Sequence, residues 1–162
     1  VGFEKGVLFR CFKLSALNVV HANEEVTIRP QRKFRPSEYQ YMGQALPSFQ
    51  DINEHIVYDR ANETLLEAVM DGKVVGYTIF HTSGGRISQL AVERDYQNQG
   101  IGSRLLKEAS WLLKRQPMTL INLRAEELET AEFLINRGFV NEVDQYEMVM
   151  EADAMKKGIA SE

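Results

Sequence analysis

The chain has 162 residues, 44% hydrophobic and 26% charged, which suits one globular domain with a sizeable core and not a disordered segment. A formal charge of −4 and a pI near 5.5 argue against a broad electrostatic grip on nucleic acid, while leaving room for a local basic pocket and an anionic small ligand. The single cysteine, Cys11, excludes an internal disulfide and reads as an inert buried thiol.

No cluster has zinc-ligand spacing, so no metal is expected. No apolar run approaches the roughly 18–20 residues of a membrane span, and the opening "VGFEKGVLFR" lacks a secretory layout. A cytoplasmic protein without a membrane partner is the expectation.

In chain order, "VGFEKGVLFRCFKL" alternates apolar and polar residues like a strand that begins after Gly2-Phe3. Near the far end "RGFVNEVDQYEMVM" repeats the arrangement, with Gly138-Phe139, a polar interruption and an alternating strand. Residues 1–14 therefore read as closing strands of an upstream, truncated module or as a swapped strand, pairing with this sheet or with a second copy. The competing reading is that any two Gly-Phe strands look alike. Residues 15–23, within "SALNVVHANEE", read as a linker or short helix, 24–151 as the main domain and 152–162 as a tail.

From Glu24 strands and helices alternate. "EVTIRP" reads as a strand, and "PSEYQYMGQAL" as a helix with Ser37 as N-cap and Pro47 as its stop. "SFQDINEHIVYDR" reads as a second amphipathic helix. "TLLEAVM" and "VVGYTIFHT" are strands joined by Asp71-Gly72-Lys73, a strong hairpin signal, and Gly84-Gly85 turns into "RISQLAV". Three consecutive antiparallel strands follow from this.

The next helix carries Ile101, Leu105, Ala109, Leu112 and Leu113 on one face, and Trp111 is read as a packing residue. "MTLINLRA" is a strand and "EELETAEFLINRG" a helix closed by Gly138. Its acidic start suits the helix dipole rather than a metal. The strand-helix-strand crossover makes residues 86–92 and 118–125 parallel, so the fold is α/β of mixed α+β character with one mixed sheet.

The corner "LAVERDYQNQGIGS" ends a strand and opens a helix near Gly100, which gathers backbone N–H groups at the positive end of the helix dipole. Such a place suits a phosphate; Gly100 and Gly102 would let it approach, and Ser103 would add a hydroxyl. The simpler alternative is that the glycines only make the turn. A dinucleotide fingerprint fails because Leu105 stands where a third small residue belongs, and no Gly-Lys-Ser/Thr P-loop occurs.

Gln97-Asn98-Gln99-Gly100-Ile101-Gly102 fits Q/R-x-x-G-x-G/A and follows a strand, and so resembles the pyrophosphate signature of the GNAT acetyltransferase superfamily. The element order over 24–151 is similar to that family throughout, and "FLINRGF" resembles its usual "FYEKLGF". The resemblance implies a GNAT fold with a parallel pair splayed at Val92 and Asn122. It implies an acetyl-CoA-dependent N-acetyltransferase, acting on a primary amine of a small molecule or peptide.

Backbone amides of Gln99, Gly100, Ile101, Gly102 and Ser103, with Gln97 shaping the loop, would hold the CoA pyrophosphate. Backbone groups of Leu90, Ala91 and Val92 would pair with the pantetheine arm, and an amide at Leu90 or Ala91 would stabilise the oxyanion.

The family's usual tyrosine, general acid for the thiolate, is here Leu134, and its usual asparagine is Glu127. The strand "ISQLAV" has no carboxylate, which leaves Glu93, His81 or Glu67 as bases and Tyr146 as an acid; each also reads as an ordinary surface or packing residue. "RPQRKFRP" could meet an acidic ligand or the CoA 3′-phosphate, or be a solvated loop. The alternative function is a non-catalytic acyl-CoA-binding module in a homodimer or tandem arrangement.

Overall fold

The computed structural model describes residues 2–14, 16–40, 42–44 and 61–150. The alternating first stretch forms β1 (Glu4–Leu14), which lies between β7 (Met118–Arg124) and β8 (Phe139–Val149), antiparallel to both. Phe9, Cys11, Phe12 and Leu14 are buried there, and Cys11 is a free thiol. β8 runs beside β1 as far as Val149, and the polar stretch after Gly138-Phe139 lies within it as a bulge, Glu142 being the extra residue between the pairs Phe12↔Asn141 and Cys11↔Val143. Phe9 stands opposite Gln145, and each lies seven residues after the glycine of its Gly-Phe pair. The two strands are therefore related by a local two-fold at their centre.

A second sheet has the order β2 (Thr27–Gln31), β4 (Glu63–Met70), β5 (Lys73–His81), β6 (Ile87–Val92), β3 (Gly43–Gln44). The β4–β5 hairpin turns at Asp71 and Gly72, whose φ values of 51° and 77° are the pair of positive angles that a type I′ turn needs. Alternate residues of β4 face opposite cores. Leu66 joins the larger cluster under the main helices, and Leu65 joins Tyr39, Tyr77 and Ile79 on the other face.

α2 (Ile101–Leu112) buries Ile101, Leu105, Leu106 and Ala109, with Leu113 just beyond it. Leu112 is half exposed and Trp111 is 73% exposed, contrary to the packing role expected of both. Trp111 lies two residues past Ala109, about 200° around the helix from that buried position, and so faces solvent. α3 (Leu128–Asn136) ends with Gly138 at φ 97°.

Two expectations fail before β4. α1 covers only Pro36–Tyr39, and its N-cap is Arg35 rather than Ser37. Pro36 lacks an N–H and has a fixed φ, so it takes the first helical turn and moves the cap back by two residues. The chain then leaves the helix to place Met42 in the core and Gly43–Gln44 in a sheet. The second helix expected over 48–60, and Pro47, lie outside the described residues.

The two sheets meet in an isolated parallel bridge, Arg86↔Thr119, and not along the whole length expected for 86–92 and 118–125. Bulges on both strands explain the divergence. Ser88 is the extra residue between the pairs Ile79↔Gln89 and Phe80↔Ile87. On β7, Ile121 and Asn122 together oppose Cys11, and Asn122 has φ 61°. Each extra residue bends its strand, and no further pairing between β6 and β7 follows the bridge towards Val92 among the described residues.

Deleting residues 2–14 should unfold or aggregate the domain, because the middle strand of a sheet and two fully buried side chains, Phe12 and Leu14, would be lost. Phe12→Ala alone should cost about 3–5 kcal/mol in urea denaturation. A deletion variant with the parent's unfolding midpoint would show that β1 is dispensable.

Candidate cofactor corner and active-site cleft

β6 stops at Val92, a single 3₁₀ turn follows at Arg94–Tyr96, and α2 starts after Gly100, an N-cap residue at φ 78° with no side-chain cap. The corner's carbonyls are pinned from behind. Asn23 donates from its backbone N–H to Gly100 O at 3.0 Å and from Nδ2 to Gln99 O at 3.0 Å. Gln97 Nε2 donates to Val92 O at 3.1 Å, and Gln99 Nε2 to Asp95 O at 3.3 Å. With the carbonyls held, the amides of Gly100, Ile101, Gly102 and Ser103 are left without an acceptor among the described residues.

A Cβ on Gly100 would lie 2.1 Å from His21 O, so the glycine is required by the chain segment that backs it as well as by its φ. Asn23 was not legible as part of this corner. Its partner is 76 residues away, and "HANEE" reads locally as a linker.

The first turn of α2 leans on α3. A Cβ on Gly102 would meet the Phe133 ring at 3.0 Å, and the Arg137 guanidinium lies over that ring at 5.1 Å. Ser103 is fully buried, and its Oγ accepts from Arg137 Nε at 2.5 Å. Its hydroxyl therefore faces a side chain of this protein rather than open space.

Along β6, the Glu93 N–H donates to Val75 O at 2.8 Å, and Gln89 O accepts from Thr78 Oγ1 at 2.8 Å. Backbone groups alternate in an antiparallel strand, so Gln89, Ala91 and Glu93 address β5 while Leu90 and Val92 address the cleft. Of the three residues expected to pair with the cofactor arm, Ala91 is thus turned away. β3 already sits on this edge, opposite Val92 and Ala91.

A family model described as an acetyltransferase (GNAT) domain matches residues 61–141, half of the chain. The chain belongs to the GNAT acetyltransferase family. No curated protein matches the sequence. In fold the chain is similar to a functionally unknown conserved protein from Staphylococcus epidermidis, at TM-score 0.62 and 17% identity over 91% of this chain and 62% of that one. It is also similar to a GCN5-related N-acetyltransferase from Kribbella flavida, at TM-score 0.62 and 12% identity over 91% and 59%. A tandem GNAT protein from the clavulanic acid biosynthesis pathway matches at TM-score 0.52 and 13% identity over 90% and 54%. The chain thus spans less than two thirds of the length of each of these structures. The two antiparallel sheets flanked by helices match the GNAT fold.

Within this GNAT domain the four residues read as acid or base lie apart. Glu93 is ion-paired with Lys73 at 2.8 Å, just beyond the Val92 end of β6, and this hydrogen bond pushes the lysine up from its ordinary range. His81 is at the opposite end, where Nε2 lies 3.3 Å from Oε1 of buried Glu63 and Ser88 Oγ approaches the same oxygen at 3.5 Å. Tyr146 sits on β8, two strands beyond β7, with Lys5 Nζ 4.7 Å from its ring centroid. Leu134 is fully buried in the larger core. Among the described residues no three His, Cys, Asp or Glu gather to hold a metal, and no helix is long and apolar enough to cross a membrane.

Glu67 is 3% exposed and fully engaged. Oε2 accepts from Arg29 Nη2 at 2.7 Å, Arg29 Nε at 3.1 Å and Gln31 Nε2 at 2.9 Å, and Oε1 from Tyr39 Oη at 2.7 Å. Burial pushes its carboxyl up, but the bonds from Tyr39, Arg29 and Gln31 and the Arg29 charge outweigh it and hold the group below its ordinary value. Burial and the same carboxylate push the Tyr39 hydroxyl far up. Neither residue is a proton carrier here. Two of the four basic residues in "RPQRKFRP" are also used internally, Arg29 on Glu67 and Arg35 on Glu38 at 3.1 Å.

Because the folded value of Glu67 is depressed, its contribution to stability is complete above the ordinary 4.5 and is lost as pH falls through the folded value. Glu67→Gln should lower stability by about 2–3 kcal/mol at neutral pH. The gap to the parent should narrow on acidification, in urea titrations at pH 7 and below 4. A gap of constant size would mean that the charge of Glu67 contributes nothing.

Proposed function

We propose that this domain moves an acetyl group from acetyl-CoA to a primary amine of a small molecule or peptide by direct attack. The observation that carries the reading is the conjunction, in a GNAT chain, of acceptor-free amides at the α2 start with a cleft bordered by the outward groups of Leu90 and Val92. The corner amides fit a pyrophosphate, and the Leu90 and Val92 edge fits the amides of a pantetheine arm. The arm and β3 compete for Val92, since one N–H and one C=O cannot serve both. An arm running back from the corner brings the thioester to Leu90, whose N–H then faces the developing oxyanion. The amine nitrogen forms the new C–N bond, the C–S bond breaks, the thiolate departs with the electron pair, and the ammonium proton passes to a base.

For that base we favour His81 backed by Glu63, which lies beyond Leu90 on the side away from the corner. Glu93 lies on the corner side and is engaged with Lys73. Leu134 supplies no acid, and a thiolate leaves readily without one. Leu134→Tyr is a poor test of this, because a hydroxyl would be forced into a filled core. The buried Leu134 is also what favours the second reading, a non-catalytic acyl-CoA-binding module.

We further propose that β1 belongs to an upstream module of a longer tandem protein, supported by its Gly-Phe repeat and its two-fold relation to β8.

Two measurements test these readings. Gly102→Val should push the Phe133 ring aside, keep the fold at a cost of about 1–3 kcal/mol, and weaken CoA binding in calorimetry; unchanged affinity in a folded variant would remove the corner from the site. Thiol release with an amine panel should rise with pH to a plateau. His81→Ala should cost about 10²–10⁴-fold in rate and Glu63→Gln less, since the imidazole remains, whereas release by no amine, with CoA still bound, would favour the binding module.

A further inference from the structure

We propose that Arg137 is a phosphate anchor for the ligand of the α2 corner, with Ser103 as its positioning residue. The proposal rests on the CoA reading above but concerns a side chain particular to this sequence, since "FLINRGF" carries Arg137 where the usual "FYEKLGF" has leucine.

Two contacts fix the guanidinium, and a third ties it to the α2 corner. Nε donates to the fully buried Ser103 Oγ at 2.5 Å, the group lies 5.1 Å over the Phe133 ring, and that ring abuts Gly102. Using Nε in this way leaves both Nη groups, which have no partner among the described residues, and a guanidinium edge of this kind matches two phosphate oxygens. No carboxylate lies within ion-pairing distance of Arg137 among the described residues, whereas Arg104, one residue past Ser103, has Glu108 at 2.8 Å and Glu24 at 3.7 Å.

A fixed cation therefore stands beside the positive end of α2 and its acceptor-free amides. Like charges gathered at one place are relieved by an anion.

The plainer alternative is that Arg137 caps the C-terminus of its own helix. The carbonyls there are already served. Arg137 O accepts from Asn18 N at 2.9 Å, Ile135 O from Gly138 N at 3.0 Å, and Phe133 O and Leu134 O from Arg137 N at 3.2 and 3.0 Å. The guanidinium is turned from them to Ser103.

Calorimetric titration of the parent chain, Arg137→Gln and Ser103→Ala with CoA, dephospho-CoA and pantetheine tests the assignment. Arg137→Gln should bind CoA about tenfold or more weakly and pantetheine as the parent does. Ser103→Ala, which keeps the charge but frees it, should show a smaller loss with the same selectivity, and carries the test should Arg137→Gln fail to fold. A loss shared by dephospho-CoA assigns the contact to the pyrophosphate, and a loss confined to CoA assigns it to the 3′-phosphate; both support the anchor. Affinity for CoA within twofold of the parent, or an equal loss for pantetheine, overturns it. A parent chain that binds no CoA overturns the cofactor reading itself, which is a different result from a binding parent with an indifferent variant.

Discussion

The separation of β6 from β7 is the constraint on which the rest of this molecule depends. A strand buried on one side must still place the N–H and C=O groups of its other edge, and unpaired backbone groups are costly in an interior. Here the narrow end is closed by Arg86↔Thr119 and the wide end is partly lined by β3. Between them Leu90 faces the gap. The bulges at Ser88 and at Ile121-Asn122 are what keep the two strands from closing into an ordinary parallel ladder. Asn122 takes the positive φ of the β7 bulge, a conformation that asparagine tolerates better than most side chains.

A second element sets the relation between the helices. The segment read as a linker is docked at both ends, with Asn18 on Arg137 O and Asn23 on Gly100 O and Gln99 O. It crosses from the C-terminus of α3 to the N-terminus of α2, and Cβ atoms on Gly138 and Gly100 would strike it at 2.4 and 2.1 Å. The corner amides and the Arg137 guanidinium are thus registered against each other by a stretch that carries no chemistry of its own.

What the sequence discloses and what it conceals divides by range. The antiparallel strands, the Asp71-Gly72 hairpin, α2, α3 and the glycine corner are written in local periodicity and turn chemistry, and all are present. The place of β1 between β7 and β8 is not local, because an alternating strand names its faces but not its neighbours. The helix expected over 36–46 gives way after Tyr39 because Gly43 and Gln44 pair with Val92 and Ala91, partners about 50 residues away that no window of sequence contains. Trp111 is exposed because helical phase, two residues past buried Ala109, outweighs residue type. At the candidate site, the motif marks the corner, while Asn23, Glu63 and Arg137 enter the proposals above through contacts that only the folded chain makes.

The same distinction bears on proton transfer. Three carboxylates lie on or beside the strands nearest the cleft, and their partners separate them. Glu67 accepts four hydrogen bonds, so adding a proton would break at least one bond in a buried site. Glu93 is held by the Lys73 ammonium at 2.8 Å. Glu63 instead faces His81, a group that keeps a partner in either protonation state: neutral imidazole can donate to the carboxylate, and imidazolium pairs with it. The three carboxylates thus differ in their partners, a tyrosine with an arginine and a glutamine, a lysine, and an imidazole, and only the last of these meets its carboxylate as either a neutral donor or a cation.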